Sequence, residues 1–200
     1  MRSPVRRPAA TDSKPTLHLP QPISDGDLFA RLRSDDTEAL DLALKQHWAM
    51  VVDYIKRLTL STDAAEDVAQ RTFLQLWDRR AHWRSEGSMR ALLCRIARNF
   101  TISEHRRESA AERSAAAFVE LTEPAIPVRD SIEAEQLRSA LDREISRLPA
   151  RRREIVVLRC VHDLSYKEIA EVMNIAPQTV ANQLSSALAT LRTSLQQLLD

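Results

Sequence analysis

Glycine is nearly absent from this chain: Gly26 and Gly87 are the only two in 200 residues. Hairpin turns and phosphate-cradling loops depend on glycine, because its backbone adopts positive φ angles without strain. Alanine, leucine, arginine and glutamate dominate the periodic segments instead, and these residues favour helix. The sequence therefore predicts an all-α fold.

The N-terminus is the part of the chain with the least helical character. Residues 1–22 contain five prolines and several basic residues, a composition typical of disordered segments. We predict a disordered, Pro-rich tail over residues 1–23.

A first helical module follows this tail. Residues 24–27 can cap a helix, and Asp35 with Asp36 marks a corner before the next apolar stripe. Apolar residues then recur at helical spacing until Arg107. The pattern predicts a four-helix module over residues 24–107.

The helical periodicity fails over residues 108–130, where Pro124 and Pro127 interrupt an alanine-rich and acidic stretch. This stretch is predicted to be a flexible linker. A second small helical domain is predicted over residues 131–200. Its expected buried residues are Leu137, Leu141, Ile145, Leu148, Ile155, Val156, Leu158, Val161, Val180, Leu184, Leu188, Leu191, Leu195 and Leu198.

Two short helices joined by a tight corner are predicted within this second domain. Ser165 and Glu168 have capping-box spacing, Asn174 tolerates the left-handed conformation that ends helices, and Pro177 suits a first helical position. The pattern is that of a helix-turn-helix, whose second helix presents side chains suited to reading base edges in the major groove. The alternative is the polar outer face of a small bundle that docks a protein. These outward residues are Gln178, Thr179, Asn182, Gln183, Ser185 and Ser186.

Charge is segregated along the chain although the formal net charge is only +1. Residues 25–78 hold eleven acids and six bases, a balance of −5, whereas residues 79–113 hold nine arginines and four glutamates, a balance of +5. Such segregation indicates that one face meets an acidic partner and another face meets something else.

Neither an enzyme nor a metal protein is indicated. The five histidines are scattered, and no HExxH, Walker or Ser-His-Asp motif is present. Cys94 and Cys160 lack CxxC spacing and lie in apolar stretches, so both are expected to be small buried hydrophobes in a reducing cytoplasm. No stretch has the length of a membrane span or the pattern of a secretory signal. A cytoplasmic protein without cofactors and without direct membrane insertion is expected.

Three motifs in series resemble a known family. "DAAEDVAQRTFLQLW", "GSMRALLCRIARNFTISEHRR" and "LPARRREIVVLRCVHDLSYKEIAEVMNIAPQTV" occur in this order. They are similar to regions two and four of the extracytoplasmic-function sigma factors of bacterial RNA polymerase, which belong to the sigma-70 family. The resemblance implies that the module over residues 24–107 is region two and that residues 131–200 are region four.

The resemblance also implies three functional surfaces. The surface that docks on the clamp helices of the polymerase would comprise Asp67, Gln70, Arg71, Leu74 and Trp77. The surface that opens the promoter and holds the minus-ten element would comprise Trp83, Arg84, Arg90, Arg95, Arg98, Asn99, His105, Arg106 and Arg107. The surface that contacts the minus-thirty-five element would comprise Arg152, Arg153, Gln178, Thr179, Asn182, Gln183 and Ser186.

The implied function is that of a sigma factor that binds core RNA polymerase, directs it to promoters and promotes DNA melting. The implied partners are core polymerase, promoter DNA and an anti-sigma factor, with no small-molecule substrate. Two alternatives stay open: a conventional helix-turn-helix regulator, and a sigma-like protein-binding adaptor. The adaptor is conceivable because the outward residues of the second helix carry no charge.

Overall fold

The structure of the protein is a computed structural model. It describes residues 23–59, 63–83, 87–112 and 132–199, and the side chains within these ranges except those of residues 63, 104–112, 132–137 and 197–199. All regular structure in these ranges is helical, which confirms the all-α prediction. The predicted tail lies almost entirely outside the described residues, as do residues 113–130 of the predicted linker and residue 131.

Eight α-helices occur within the described ranges. They are α1 (Asp25–Arg33), α2 (Thr37–Thr59), α3 (Asp63–Asp78), α4 (Met89–Glu112), α5 (Ile132–Arg147), α6 (Ala150–Val156), α7 (Tyr166–Met173) and α8 (Pro177–Leu199). A 3₁₀ turn at Arg80–His82 precedes α4, and a π-helical turn at Val157–Val161 continues α6.

Helices α1 to α4 form an N-terminal bundle whose first boundaries follow local signals. The hydroxyl of Ser24 accepts a hydrogen bond from the backbone N–H of Asp27 and caps α1. Asp35 has a φ of 62°, a conformation that produces the predicted corner before α2. Helix α4 continues to Glu112, which is later than the periodicity predicted.

The core of this bundle lies between α2, α3 and α4. Phe73 of α3 is buried and stacks against Trp48 of α2 with ring centroids 5.9 Å apart. Leu93 and Ile96 of α4 complete the buried face. This packing directs the opposite side of α3 toward solvent.

Helices α5 to α8 form a C-terminal bundle that contains the helix-turn-helix. Both hydrogen bonds of the capping box between Ser165 and Glu168 are present at the start of α7. Asn174 ends α7 with a φ of 53°, and Pro177 begins α8. These local predictions are confirmed.

Several residues that were predicted to be buried are exposed. Val161 and Cys160 lie in the π-helical turn, whose wider winding shifts the register of the apolar stripe and leaves both residues outside. Leu188 is also exposed because Ala187, one position earlier, fills the buried place on α8. Leu141 of α5 is exposed as well. Cys94, in contrast, is fully buried as predicted.

The two bundles pack directly against each other. Helix α7 lies against α4, and α6 with its π-helical turn lies against α2. The contact therefore covers one side of the helix that carries most of the predicted minus-ten residues.

Candidate polymerase and nucleic-acid interfaces

The outward side of α3 carries four of the five residues predicted to bind polymerase. Asp67 precedes Gln70 and Arg71 by three and four positions, and Leu74 follows them by four and three, so the four residues share one face of the helix. The side chain of Asp67 is 69% exposed, and Leu74 is 60% exposed although it is a large apolar residue. Leu74 is the most exposed large apolar side chain among the described residues, so a partner that covered it would bury apolar area.

The other members of this set are held more closely. The Arg71 guanidinium lies 3.5 Å from a carboxylate oxygen of Asp67 and 4.5 Å from the centroid of the Phe100 ring. Trp77 is partly buried, and the guanidinium of Arg80 covers its ring at 4.2 Å. Trp77 therefore packs at the end of the α3 surface and offers a partner less exposed area than Leu74 does.

Trp83 is fixed by two hydrogen bonds beside an open cavity of about 360 Å³. Its indole Nε1 donates to the carbonyl of Leu76 over 2.8 Å, and its own carbonyl accepts a bond of 3.4 Å from Arg33. Arg95 lines the same cavity, and so does Glu171 of α7. The cavity places an anchored aromatic ring near a cation, a combination suited to an unstacked base.

The other predicted minus-ten residues lie on or before α4. Arg90, Arg95 and Asn99 are exposed, whereas Arg98 is only 17% exposed at its side chain. Arg84 lies outside the described residues. The backbone of His105, Arg106 and Arg107 is in α4, and their side chains lie outside the described part.

Arg98 is bound by the other bundle. Its Nε donates to Oε1 of Glu154 in α6 over 2.7 Å. The hydroxyl of Tyr54 donates to the same oxygen over 2.9 Å. Tyr54 is fully buried, and burial, followed by the negative charge of Glu154, raises the pKa of its hydroxyl well above the usual value. Tyr54 is therefore a neutral donor at physiological pH.

The recognition helix α8 presents amides outward at its first turns. Gln178, Thr179 and Asn182 are exposed, and Gln183 and Ser186 are partly exposed. Nε2 of Gln178 donates to Oδ1 of Asn182 over 3.0 Å, which orders both side chains. This surface meets the polar requirements for base-edge reading.

The two arginines assigned to phosphates at the minus-thirty-five element differ in the structure. Nε of Arg152 donates to Oε1 of Gln183 over 3.4 Å, so Arg152 lies beside the recognition helix. Arg153 instead turns inward and donates to the carbonyl of Ser146 over 2.9 Å. Burial lowers the pKa of Arg153, and its Nε is buried with no hydrogen-bond partner among the described residues. The structure thus groups Arg152, but not Arg153, with the amides of α8.

The residues that join the bundles were missed by the sequence analysis. Besides Tyr54 and Glu154, Arg57 donates to Asp142 over 2.7 Å, and His162 lies 3.5 Å from Asp53. A signal for Glu154 was present, because an isolated glutamate precedes the apolar run of residues 155–158 and a buried carboxylate needs donors. No signal in the sequence identified those donors.

The described residues offer neither a metal site nor a membrane-spanning helix. Within them, no three His, Cys, Asp or Glu side chains are grouped so that they could hold a metal ion. None of the described helices combines the length and apolar character needed to cross a bilayer.

Two family models match the chain. Residues 44–111 match "Sigma-70 region 2", and residues 138–191 match "Sigma-70, region 4". The first match covers α3, most of α2 and nearly all of α4, and the second covers the helix-turn-helix.

Named relatives agree with these models. The chain is 29% identical over 148 residues to the probable RNA polymerase sigma factor RfaY of Xanthomonas campestris, covering 72% of this chain and 37% of that relative. The chain thus spans little more than a third of RfaY. It is 25% identical over 194 residues to the ECF RNA polymerase sigma-E factors of Salmonella typhimurium and Escherichia coli, covering 90% of this chain and 99% of theirs.

Solved structures share the fold. The sigma factor RpoE from Bartonella quintana, solved in complex with the anti-sigma factor NepR, superimposes with a TM-score of 0.65 at 22% identity, covering 81% of this chain and 97% of that one. CnrH, solved with the cytosolic domain of CnrY, gives a TM-score of 0.64 at 21% identity, covering 86% and 97%. Two regions of one family, matched in order along a chain with sigma-factor relatives, show that this protein belongs to the extracytoplasmic-function sigma factors of the sigma-70 family.

Proposed function

We propose that this sigma factor binds core RNA polymerase, directs it to specific promoters and promotes the melting of promoter DNA. The observation that carries the proposal is that one chain combines an exposed leucine among polar residues on α3 with a helix-turn-helix whose second helix has an exposed polar face. A regulator that binds DNA alone would not need the first surface, and a protein-docking adaptor would not need the second.

The α3 surface would dock on the polymerase through an apolar centre and a polar edge. Leu74 supplies apolar area, and Asp67 and Gln70 on the same face supply polar contacts. Trp77 supports this surface from below, and Arg71 adds a cation already oriented by Asp67. Contacts of this kind concentrate binding energy in a few residues near the centre of an interface.

The basic side of α4 would hold the single strand that melting exposes. Arg90 and Arg95 would neutralise phosphates, Asn99 would add a hydrogen bond, and Trp83 would stack on an unpaired base. Arg98 would join them once it is released from Glu154. Four further residues of this proposed set are Arg84, His105, Arg106 and Arg107.

The recognition helix would read the upstream element by its amides. Gln178, Thr179, Asn182, Gln183 and Ser186 would contact base edges, and Arg152 would approach a phosphate nearby. Because these five residues of α8 carry no charge, the polymerase would supply much of the affinity for DNA. Arg153 would contact a phosphate only after leaving Ser146.

The chemistry of RNA synthesis would belong to the polymerase, so the protein itself would not be an enzyme and would need no cofactor. Since its proposed partners are bacterial RNA polymerase and promoter DNA, it would act in the cytoplasm. We also propose that an anti-sigma protein restrains it, because RpoE of similar fold was solved with the anti-sigma factor NepR.

Transcription by purified core polymerase tests this function. Reactions with and without the protein would use a fragmented genomic template, with transcript starts mapped and an established sigma factor as the positive control. New starts that share two spaced upstream motifs are expected. If the control works and the protein neither binds core polymerase nor produces new starts, the proposal fails. Binding of duplex DNA alone would then indicate a conventional regulator, and its absence an adaptor.

A further inference from the structure

Among the described residues, Glu154 is the one buried acid whose hydrogen-bond partners both lie in the other bundle. The other buried acid is Glu144, and its partner Arg147 lies three positions further on in the same helix. Glu154 is 5% exposed and is bonded to Arg98 and Tyr54, which precede it by 56 and 100 positions. Its burial therefore depends on the contact between bundles.

A buried carboxylate is tolerated only where donors replace its lost water. Glu154 receives an N–H from a guanidinium and an O–H from a neutral phenol on one oxygen. If the bundles separate, water replaces both donors, and Arg98 regains its full exposure. The same interaction thus hides an anion and a cation together.

Further polar contacts join the two bundles around this pair. Arg57 of α2 donates to Asp142 of α5 over 2.7 Å. Ser88, just before α4, and Glu168 of α7 line the same cavity. The His162 ring meets the Tyr54 ring edge-on, with centroids 5.9 Å apart. The closed arrangement is therefore specified at several points.

The closed arrangement conflicts with promoter binding in two ways. First, a phosphate and the Glu154 carboxylate would compete for the same guanidinium of Arg98. Second, the positions that give the minus-ten and minus-thirty-five elements their names differ by roughly 25 base pairs, which is about 85 Å along B-DNA. A closed chain of this length is roughly 40 Å across. The closed chain is therefore too short to reach both elements. Residues 113–131 join the two bundles and, at about 3.5 Å each when extended, have a length of roughly 65 Å, so separated bundles can reach both.

We infer that Glu154 is an intramolecular latch: in the free chain its carboxylate takes the place of a DNA phosphate on Arg98 and holds the two bundles together. Binding to the polymerase and promoter then requires the latch to open. The inference rests on the proposed function, because it assumes that Arg98 is a DNA contact.

Interdomain energy transfer on the full chain tests the latch. Dyes would be attached at Ala49→Cys in α2 and Ala189→Cys in α8, both exposed positions, in a background with the exposed Cys160 replaced by serine. Glu154→Gln keeps the size of the side chain but removes its charge. Its transfer efficiency should fall below that of the unsubstituted background. Glu144→Gln, which removes a buried charge within one bundle, is the matched control and should not change.

Binding of a fluorescein-labelled single-stranded DNA of mixed sequence tests the competition. If the free chain is closed more than nine-tenths of the time, Glu154→Gln should bind this probe about tenfold more tightly. Tyr54→Phe is a second variant that touches no predicted DNA contact, and it should shift both readouts in the same direction. Circular dichroism would establish that each variant is folded.

Unchanged transfer efficiency in both folded variants would overturn the latch. Opening without tighter binding of the probe would overturn the competition for Arg98. Either failure is distinguishable from a failure of the proposed function, since transcription with core polymerase is measured on the unsubstituted protein. Opening together with tighter DNA binding, in Glu154→Gln but not in Glu144→Gln, supports the inference.

Discussion

Nε of Arg98 lies 2.7 Å from Oε1 of Glu154, and this bond joins two residues that are 56 positions apart in the sequence. Arg98 belongs to the arginine-rich helix that resembles a promoter-melting segment, and Glu154 belongs to the bundle that is proposed to read the upstream element. This ion pair therefore connects the two parts of the protein that are proposed to contact DNA. The Tyr54 hydroxyl donates to the same oxygen of Glu154, so a change at Tyr54 also alters this contact between the bundles.

Tyr54→Phe should lower the free energy of unfolding by about 1–2 kcal/mol, because Glu154 loses one of its two buried donors. Urea denaturation measures the change. Tyr166, the other tyrosine, is exposed, so Tyr166→Phe serves as the control and should change stability by less than about 0.5 kcal/mol. Equal losses in the two variants would contradict a special role for the Tyr54 hydroxyl.

Stability should fall as the pH decreases from about 7 to 5. Burial lowers the pKa of His162 and outweighs the opposing effect of Asp53, while Arg57 and Arg90 lower the pKa further. The unfolded-state pKa is about 6.5. The stabilising contribution of neutral His162 is therefore complete above that value and is lost as the pH falls through it toward the lower folded-state pKa.

Thermal unfolding at several pH values would measure this dependence. His162→Gln should flatten the loss, with the remainder due partly to His47, whose pKa is also lowered by burial. A His162→Gln variant that loses as much stability as the unsubstituted protein would refute the assignment.

Leu74→Ala should weaken binding to core polymerase about tenfold while changing the free energy of unfolding by less than about 0.5 kcal/mol. The reason is that Leu74 is 60% exposed and contributes little to the core. Fluorescence anisotropy with labelled protein measures the affinity. Leu188 is another exposed leucine, on α8, and Leu188→Ala is the control. Unchanged affinity in Leu74→Ala would exclude this part of the α3 surface from the interface.

Replacing Asn182 and Gln183 with alanine should relax the preference for the upstream element and leave core binding intact. The expected loss of discrimination is about 1–3 kcal/mol for each bidentate contact. A transcription selection on randomised upstream elements reads this preference directly. Thr190 is exposed further along α8, and Thr190→Ala should retain the original preference. Unaltered preference in the double variant would remove the two amides from the reading surface.

Signals confined to a few neighbouring residues predicted the local structure well. The capping box at Ser165 and Glu168, the left-handed Asn174 and the helix start at Pro177 are all present. Each depends on hydrogen bonds or backbone preferences within about one helical turn, so tertiary packing had little to alter. The π-helical turn lacked such a signal, and the prediction that Cys160 and Val161 are buried was therefore wrong.

By itself, the sequence determined the all-α class, the helix-turn-helix and, through three motifs in series, the family. These features follow from helical periodicity, capping and the order of motifs along the chain. Only the tertiary structure decided that Arg98 is paired with Glu154, that Tyr54 completes that pair, and that Arg153 turns inward to Ser146. The physical reason is that a charged side chain carries no local indication of its partner. The partner is decided by which helix faces come together, and here those faces are as many as 100 residues apart in sequence.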